Sequence, residues 1–300
     1  MKVSLGSWAF SFGPFVDRPI PFEQVARRAA QAGYDGLEIS GHPPQVAPEL
    51  YPTPAARREL AAFLRDLRLG VSGYAADWTL ANPTIPGNRQ RYLDLFRQNL
   101  QIAVDLGSPA MRVDSGAAPG CLSGAQYEAA FSRLADLWRE AAELAQPAGV
   151  RLVWEFEPGF IFNKPTEIAA FAERVDHPNF RILFDTCHAF MCAVVAARQH
   201  GEPETLPGGV ESLLARLAGR IGAIHLADSD GSLFGDETST HLPLGEGLID
   251  FAKLAPKLFA LPVEWWCVDL CFCEKAWELL EPSLGYVERL RAAHAAAERP

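Results

Sequence analysis

Long stretches with apolar residues at i, i+3, i+4 and i+7 alternate along the chain with short runs of mostly apolar, β-favouring residues. "FEQVARRAAQA" (22–32), "RYLDLFRQNLQIAVDL" (91–106) and "YEAAFSRLADLWREAAELA" (127–145) are of the first kind and predict amphipathic helices. Helical stretches give way near Gly33, Gly70, Gly107, Gly149 and Gly219, at intervals of 37, 37, 42 and 70 residues. A glycine just past a helix takes the left-handed conformation that ends it, so these glycines are expected to mark helix-to-strand handovers. The last interval is about twice the others, and it contains the extra run "NFRILFDT" (179–186). Eight strands are therefore predicted, near 3–10, 35–40, 69–75, 110–115, 150–157, 180–186, 222–228 and 263–270.

Eight strand–helix units in succession predict an α/β fold of the (β/α)8 TIM-barrel type, one domain over residues 1–300. An open doubly wound sheet is the competing arrangement, and it normally carries a glycine-rich phosphate turn after its first strand. Neither GxGxxG nor GxxxxGK[ST] occurs; "GSWAFSFGPF" has its glycines at the wrong spacing.

Composition narrows the function classes. Hydrophobic residues at 49% and charged residues at 21% are ordinary for a soluble globular chain. The longest apolar run, "AFMCAVVAA" (189–197), is about half a membrane span, and the N-terminus has no signal-like apolar segment. A net charge of −10 opposes binding to DNA or an anionic membrane, and the arginines of "ARRELAAFLRDLR" and "RQRYLDLFR" are interleaved with acids at helical spacing. Neither a nucleic-acid nor a membrane partner is expected. Six cysteines without dense spacing read as reduced thiols of a cytoplasmic protein.

In a barrel, polar residues at the carboxyl ends of strands mean chemistry. Strand 5 supplies Glu155 and then Glu157, strand 6 Asp185 and then His188, strand 7 His225 and Asp228, and strand 8 Asp269. Several carboxylates in one barrel mouth need a cation or protons to neutralise them. An oxygen-rich set with one imidazole suits Mn2+, Mg2+ or Co2+ better than structural zinc, which prefers thiolates. Other roles compete: His225 as a hydrogen-bonded core histidine, Asp185 as a helix cap, Glu157 as a solvent-facing residue ahead of Pro158. Strand alternation does not choose between Glu155 and Glu157, which share parity.

"GVRLVWEFEPG", "NFRILFDTCHAF", "IGAIHLADSDG" and "HLPLGEGLIDF" together resemble the xylose isomerase-like barrels, specifically the sugar phosphate isomerase/epimerase family, over nearly the whole chain. The resemblance implies a metal set of Glu155, Asp185, His225 and Asp269, with Mn2+ the expected ion and Mg2+, Co2+ or Zn2+ as alternatives. It implies that His188 contacts substrate and that Glu157 either does so or supports a ligand from behind, and it matches an H-x-P-x-G-x-G stretch to His241–Gly247. It also implies carbon deprotonation of a metal-bound hydroxycarbonyl sugar to a cis-enediolate, with Glu155 as base. Where the family has glutamate on strand 8 this chain has Asp269, which withdraws the carboxylate by about 1.5 Å. Ligation tolerates that shift; a second-base role for Asp269 is left open.

A small sugar or polyol is the expected partner, met by Trp8 and Phe12 after strand 1, Trp78 after strand 3, and by His188, Glu157, Asp228 and His241, with His42 and Asp114 as further candidates. Trp8 and Trp78 read equally as filling for the barrel top. Lys164 and Arg112 are isolated and form no phosphate clamp, so an unphosphorylated sugar or cyclitol is as compatible as a phosphate ester. The functions in play are an isomerase or epimerase, then a lyase of inosose-dehydratase or C-glycoside-cleaving type. An abasic-site endonuclease, which the charge disfavours, and a sugar-binding barrel without catalysis complete the set. Homo-oligomerisation is compatible with the sequence. The cysteines of "VEWWCVDLCFCEKAW" (263–277) lack a second pair at zinc-like spacing, so the stretch reads as strand 8, with Cys267 a core residue and Cys271 and Cys273 facing the loop.

Overall fold

A computed structural model describes residues 1–297. Eight parallel strands close a barrel: β1 (Lys2–Gly6), β2 (Gly36–Ser40), β3 (Gly70–Ala75), β4 (Ala110–Val113), β5 (Arg151–Glu155), β6 (Phe180–Asp185), β7 (Ile221–Leu226) and β10 (Trp265–Val268), in the ring order β1-β10-β7-β6-β5-β4-β3-β2. A short antiparallel hairpin, β8 (Leu233–Phe234) and β9 (Thr238–Ser239), lies in the loop after β7. Helices α1 (Phe22–Ala32), α2 (Pro54–Asp66), α3 (Arg89–Asp105), α4 (Ala125–Ala145), α5 (Pro165–Val175), α6 (Thr186–Phe190), α7 (Gly209–Leu217), α8 (Phe251–Phe259) and α9 (Leu280–Ala297) occupy the segments between and after the strands.

The observed strands are shorter than the predicted runs. β1 stops at Gly6 because Ser7–Phe10 folds into a 3-10 turn, and β10 stops at Val268, one residue before Asp269. Three of the five glycines take the expected left-handed form: Gly33 (φ 93°), Gly107 (φ 70°) and Gly149 (φ 71°). After α2 that conformation falls instead on Arg68 (φ 61°), and Gly70 opens β3, where a Cβ would stand 2.9 Å from the Trp265 ring. Gly219 lies in a 3-10 turn. Among the described residues no helix is long and apolar enough to cross a membrane; the apolar run 189–197 forms the end of α6 and a following π-turn.

Alternation divides each strand between two cores. Outward residues such as Trp154 pack under the helices, where Trp138 of α4 meets the rings of Trp154, Phe171 and Phe180. Inward residues Ala110, Val153, Leu183 and Ala223 form a small cluster inside the barrel. Two positions further along the same four strands stand Arg112, Glu155, Asp185 and His225. Strand parity thus stacks a charged layer directly on an apolar one, at the carboxyl end of the barrel.

Candidate active site

Register fixes how these side chains meet. Asp185 is paired with His225 across β6 and β7, His225 with Cys267 across β7 and β10, and Asp269 follows two residues later. All four expected metal ligands, Glu155, Asp185, His225 and Asp269, are buried. His225 Nδ1 lies 2.9 Å from Glu155 Oε1 and 3.9 Å from Asp269 Oδ2. One donor atom each from Glu155, Asp185 and His225 fall within 4.8 Å of one another.

Three of the donor atoms, Glu155 Oε1, Asp185 Oδ2 and His225 Nδ1, are buried outside any well-aligned hydrogen bond, Glu155 Oε1 and His225 Nδ1 meeting each other only as a 2.9 Å ion contact. Buried polar atoms so poorly satisfied are costly, and three converging on one point fit a cation that all three would coordinate. The rest of each side chain is tied down. Asp185 Oδ1 caps α6 by accepting from the His188 backbone N–H at 2.7 Å, so the helix-cap role and the candidate ligand role coexist on two oxygens of one carboxylate. Glu155 Oε2 accepts from Arg112 Nη1 at 2.7 Å. Asp269 Oδ1 accepts from Trp8 Nε1 at 2.9 Å and from the Cys271 backbone N–H at 2.8 Å.

Glu38 was not among the residues singled out in the sequence. Its Oε2 lies 2.9 Å from His225 Nε2, on the far side of the ring from Glu155. A neutral imidazole that gives its Nε2–H to Glu38 presents a bare Nδ1 to the cluster, the arrangement by which a carboxylate orients a metal-binding histidine. The available signal was a lone acid in the apolar strand "GLEIS". Arg112, which looked isolated in the sequence, is also part of the site through its pairing with Glu155.

Electrostatics follow from this crowding. Burial works to raise Glu155, but Arg112 and His225 outweigh it and hold the carboxyl at about 2. Burial likewise opposes Asp269, which His241 and His225 keep far below the usual carboxylate range. Asp185 is pushed up to about 7 by burial, with Asp269 and Glu155 adding to the shift against His241. Burial disfavours a charged His225, yet Glu38 and Glu155 drive its pKa well upward. The crowded carboxylates thus favour positive charge at this point, whether protons or a cation supply it.

A cavity of about 440 Å³ opens over the cluster. Trp8, Glu157, His188 and His241 line it, as do His42 and Asp114. His188 Nδ1 is held 2.8 Å from Ser239 Oγ, and Thr238 Oγ1 donates to Glu157, so the β8–β9 hairpin braces both. His241 Nδ1 lies 3.5 Å from Asp269 Oδ2. Trp78 shows an edge to the cavity, but its ring is buried against Tyr92 and Phe96 and its Nε1 donates to the Arg112 carbonyl, so barrel filling dominates.

Asp228 departs from expectation. It does not line the cavity; its two oxygens accept from the backbone N–H groups of Ser229, Gly245, Gly247 and Ile249. Its role is to shape the loop "HLPLGEG". Gly247 permits this, since a Cβ there would stand 2.4 Å from Asp228 Oδ1. Cys271 and Cys273, expected to face the loop, are buried, and Cys271 contributes to the cavity wall. Cys267 packs with Trp8, Ala75 and Cys271.

A family model described as "Xylose isomerase-like TIM barrel" matches residues 26–292. The chain belongs to that family. Among its relatives, this TIM barrel is 25% identical over 258 residues to a fructoselysine 3-epimerase of Escherichia coli O157:H7, covering 83% of this chain and 84% of that protein. Its fold matches an L-ribulose 3-epimerase with a TM-score of 0.74 at 20% identity, over 99% of this chain and 98% of the other. It also matches a probable 3-DHS dehydratase of petrobactin synthesis from Bacillus anthracis, with a TM-score of 0.73 at 16% identity, over 96% and 99% of the two chains.

Proposed function

We propose that this barrel is a divalent-cation-dependent isomerase or epimerase of a small keto sugar or related polyol. The observation that carries the reading is the convergence of Glu155 Oε1, Asp185 Oδ2 and His225 Nδ1, none in a well-aligned hydrogen bond, beneath a cavity. Those three residues and Asp269 would hold the cation, and Mn2+ suits the oxygen-rich donor set best, with Mg2+, Co2+ and Zn2+ as alternatives. When bound, such a cation polarises carbonyl and hydroxyl oxygens and offsets developing negative charge.

The chain's own residues then move the proton. Glu155, kept ionised and aimed by Arg112, removes a proton from the carbon beside the carbonyl, leaving an enediolate. Asp269 has one oxygen occupied by Trp8 and Cys271 and the other turned toward His241. The Asp269–His241 pair returns a proton from its side of the cavity. His188 and Glu157, braced by the hairpin, orient substrate hydroxyls. A related fructoselysine 3-epimerase and a similarly folded L-ribulose 3-epimerase support an assignment to this class. The dehydratase of similar fold supports a second reading, in which the same proton removal ends in loss of a β-substituent. Six free thiols suit a reducing, cytoplasmic setting.

Metal analysis of the purified protein and incubation with Mn2+ in D2O against ketoses, inososes and 3-keto glycosides test the assignment. An isomerase gives a deuterated carbon and an isomeric product, whereas a lyase releases water or an aglycone. Glu155→Gln should abolish exchange and weaken, without eliminating, cation binding. Neither bound cation nor exchange with any substrate would sink both readings.

A further inference from the structure

The floor of the cavity is charged, but four of its lining residues, Trp8, Phe12, Cys271 and Phe272, belong to one apolar cluster, with His42 edge-on to Phe12. Trp8 and Cys271 are buried in it, and Phe12 and Phe272 pack against them while remaining partly exposed to the cavity. Phe272 has a left-handed backbone (φ 65°), a strained conformation for a bulky residue that structures keep where it serves a purpose. Its ring lies over Gly13, where a Cβ would stand 2.8 Å from Phe272 Cδ1, so the loop after β1 is shaped to admit it. Phe234 of the hairpin stacks on Phe272 with ring centroids 4.3 Å apart and planes at 16°.

We propose that the substrate carries an aromatic or similarly flat apolar substituent, seated against Phe12 and Phe272, and is not a phosphate ester. The proposal rests on the functional reading above, which puts the polyol on the charged floor. Aromatic faces at a pocket mouth offer stacking and apolar cover to a flat group and nothing to a hydrated anion. The charge balance of the lining agrees. Five carboxylates (Asp114, Glu155, Glu157, Glu237, Asp269) face two guanidiniums, Arg112 is paired with Glu155, and Arg198 donates to the Glu237 carbonyl. Even with a bound divalent cation and a protonated His241 counted, these groups leave no surplus of positive charge to draw in a phosphate dianion.

The test is calorimetric titration of the Mn2+-loaded protein with phenyl β-D-glucopyranoside, methyl β-D-glucopyranoside and glucose 6-phosphate. The phenyl compound should bind about tenfold to a hundredfold more tightly than the methyl one, as burial of an aromatic ring provides. Phe272→Ala should bring that ratio below about threefold, and Phe272→Leu, which keeps the packing but not the stacking face, should give an intermediate ratio if the alanine variant does not fold. Equal affinities, no binding of the phenyl compound, or tighter binding of glucose 6-phosphate overturns the proposal. The two readings fail separately. Deuterium exchange with unsubstituted ketoses but no aryl preference removes the substituent and leaves the isomerase; aryl preference without exchange on any substrate does the reverse.

Discussion

Glu38→Gln isolates the contribution of one buried charge to a site it does not enter. The substitution keeps the shape of the side chain, which matters because Glu38 packs against bare Gly73, where even a Cβ would lie 3.0 Å from its Cδ. The bond at stake runs 2.9 Å to the Nε2 of a histidine with no solvent exposure. Hydrogen bonds to charged groups are worth about 1.5–3 kcal/mol against about 1 for neutral ones, so replacing the carboxylate by an amide costs about 0.5–2 kcal/mol of orienting energy, its upper part where, as here, the bond is fully buried. If His225 binds the cation through Nδ1, that loss weakens cation affinity by roughly fivefold to thirtyfold, near the low end expected when an outer carboxylate behind a ligating histidine is removed. Calorimetric titration with Mn2+ reads the constant directly, and a thermal melt checks that the variant is folded. The pH dependence sharpens the result. Burial opposes protonation of His225, but Glu38 and Glu155 outweigh it and raise its pKa, so a proton competes with the cation for the ring. Cation binding must then release a proton and strengthen as pH rises. Glu38 also favours that competing proton, so the parent-to-variant ratio should widen with increasing pH. A variant whose affinity stays within twofold of the parent across the range refutes the orienting role.

Three further substitutions probe different links. Asp228→Asn, which weakens four bonds to backbone N–H groups, should cost about 2–4 kcal/mol in denaturant unfolding; a loss below about 1 kcal/mol contradicts the loop-shaping role. Arg112→Gln removes the group that, after burial, acts most strongly on Glu155, and removing a cation beside a depressed carboxyl raises its pKa. The acidic limb of the pH–rate profile for solvent exchange should therefore move to higher pH, and an unmoved limb would separate Arg112 from the base. Trp138→Ala opens a cavity among Trp154, Phe171 and Phe180 and leaves the Tyr92 hydroxyl without its indole donor, for an expected loss of about 3–5 kcal/mol.

The barrel was legible because its signals are local and repeated. Amphipathic period, helix-ending glycines and apolar runs recur with each unit, so an error at one position, such as Gly70 or Gly219, does not disturb the count. Strand ends were less legible. "KVSLGSWAF" reads as one apolar run, and nothing local distinguishes β1 from the 3-10 turn that swings Trp8 over the site. The partners of polar residues were least legible of all. Asp228 and Asp185 both follow apolar strands near the barrel mouth, yet one spends both oxygens on a loop and the other keeps one oxygen bare. Glu38 was illegible because it lies on an early strand: the ring closes β1 against β10, with β2 on the other side of β1, and so brings an early acid within reach of a late histidine.

That closure also bears on Asp269, the short carboxylate where related barrels are expected to carry glutamate. A side chain one methylene shorter would lose both reach and orientation if it stood alone. Here Trp8, delivered by the turn after the neighbouring strand, and the Cys271 N–H fix Oδ1, which turns Oδ2 toward His225 and His241. Two hydrogen bonds on one oxygen make the group rigid, and the nearby imidazoles keep it ionised against burial. A carboxylate so held suits fixed ligation better than the swing a lone proton shuttle requires. His241, buried with Nδ1 in a 3.5 Å ion contact with Oδ2 and neither ring nitrogen in a well-aligned hydrogen bond, is placed to carry the mobile proton on that side. Lengthening the side chain by Asp269→Glu should therefore disturb the Trp8 contact before it improves any proton transfer.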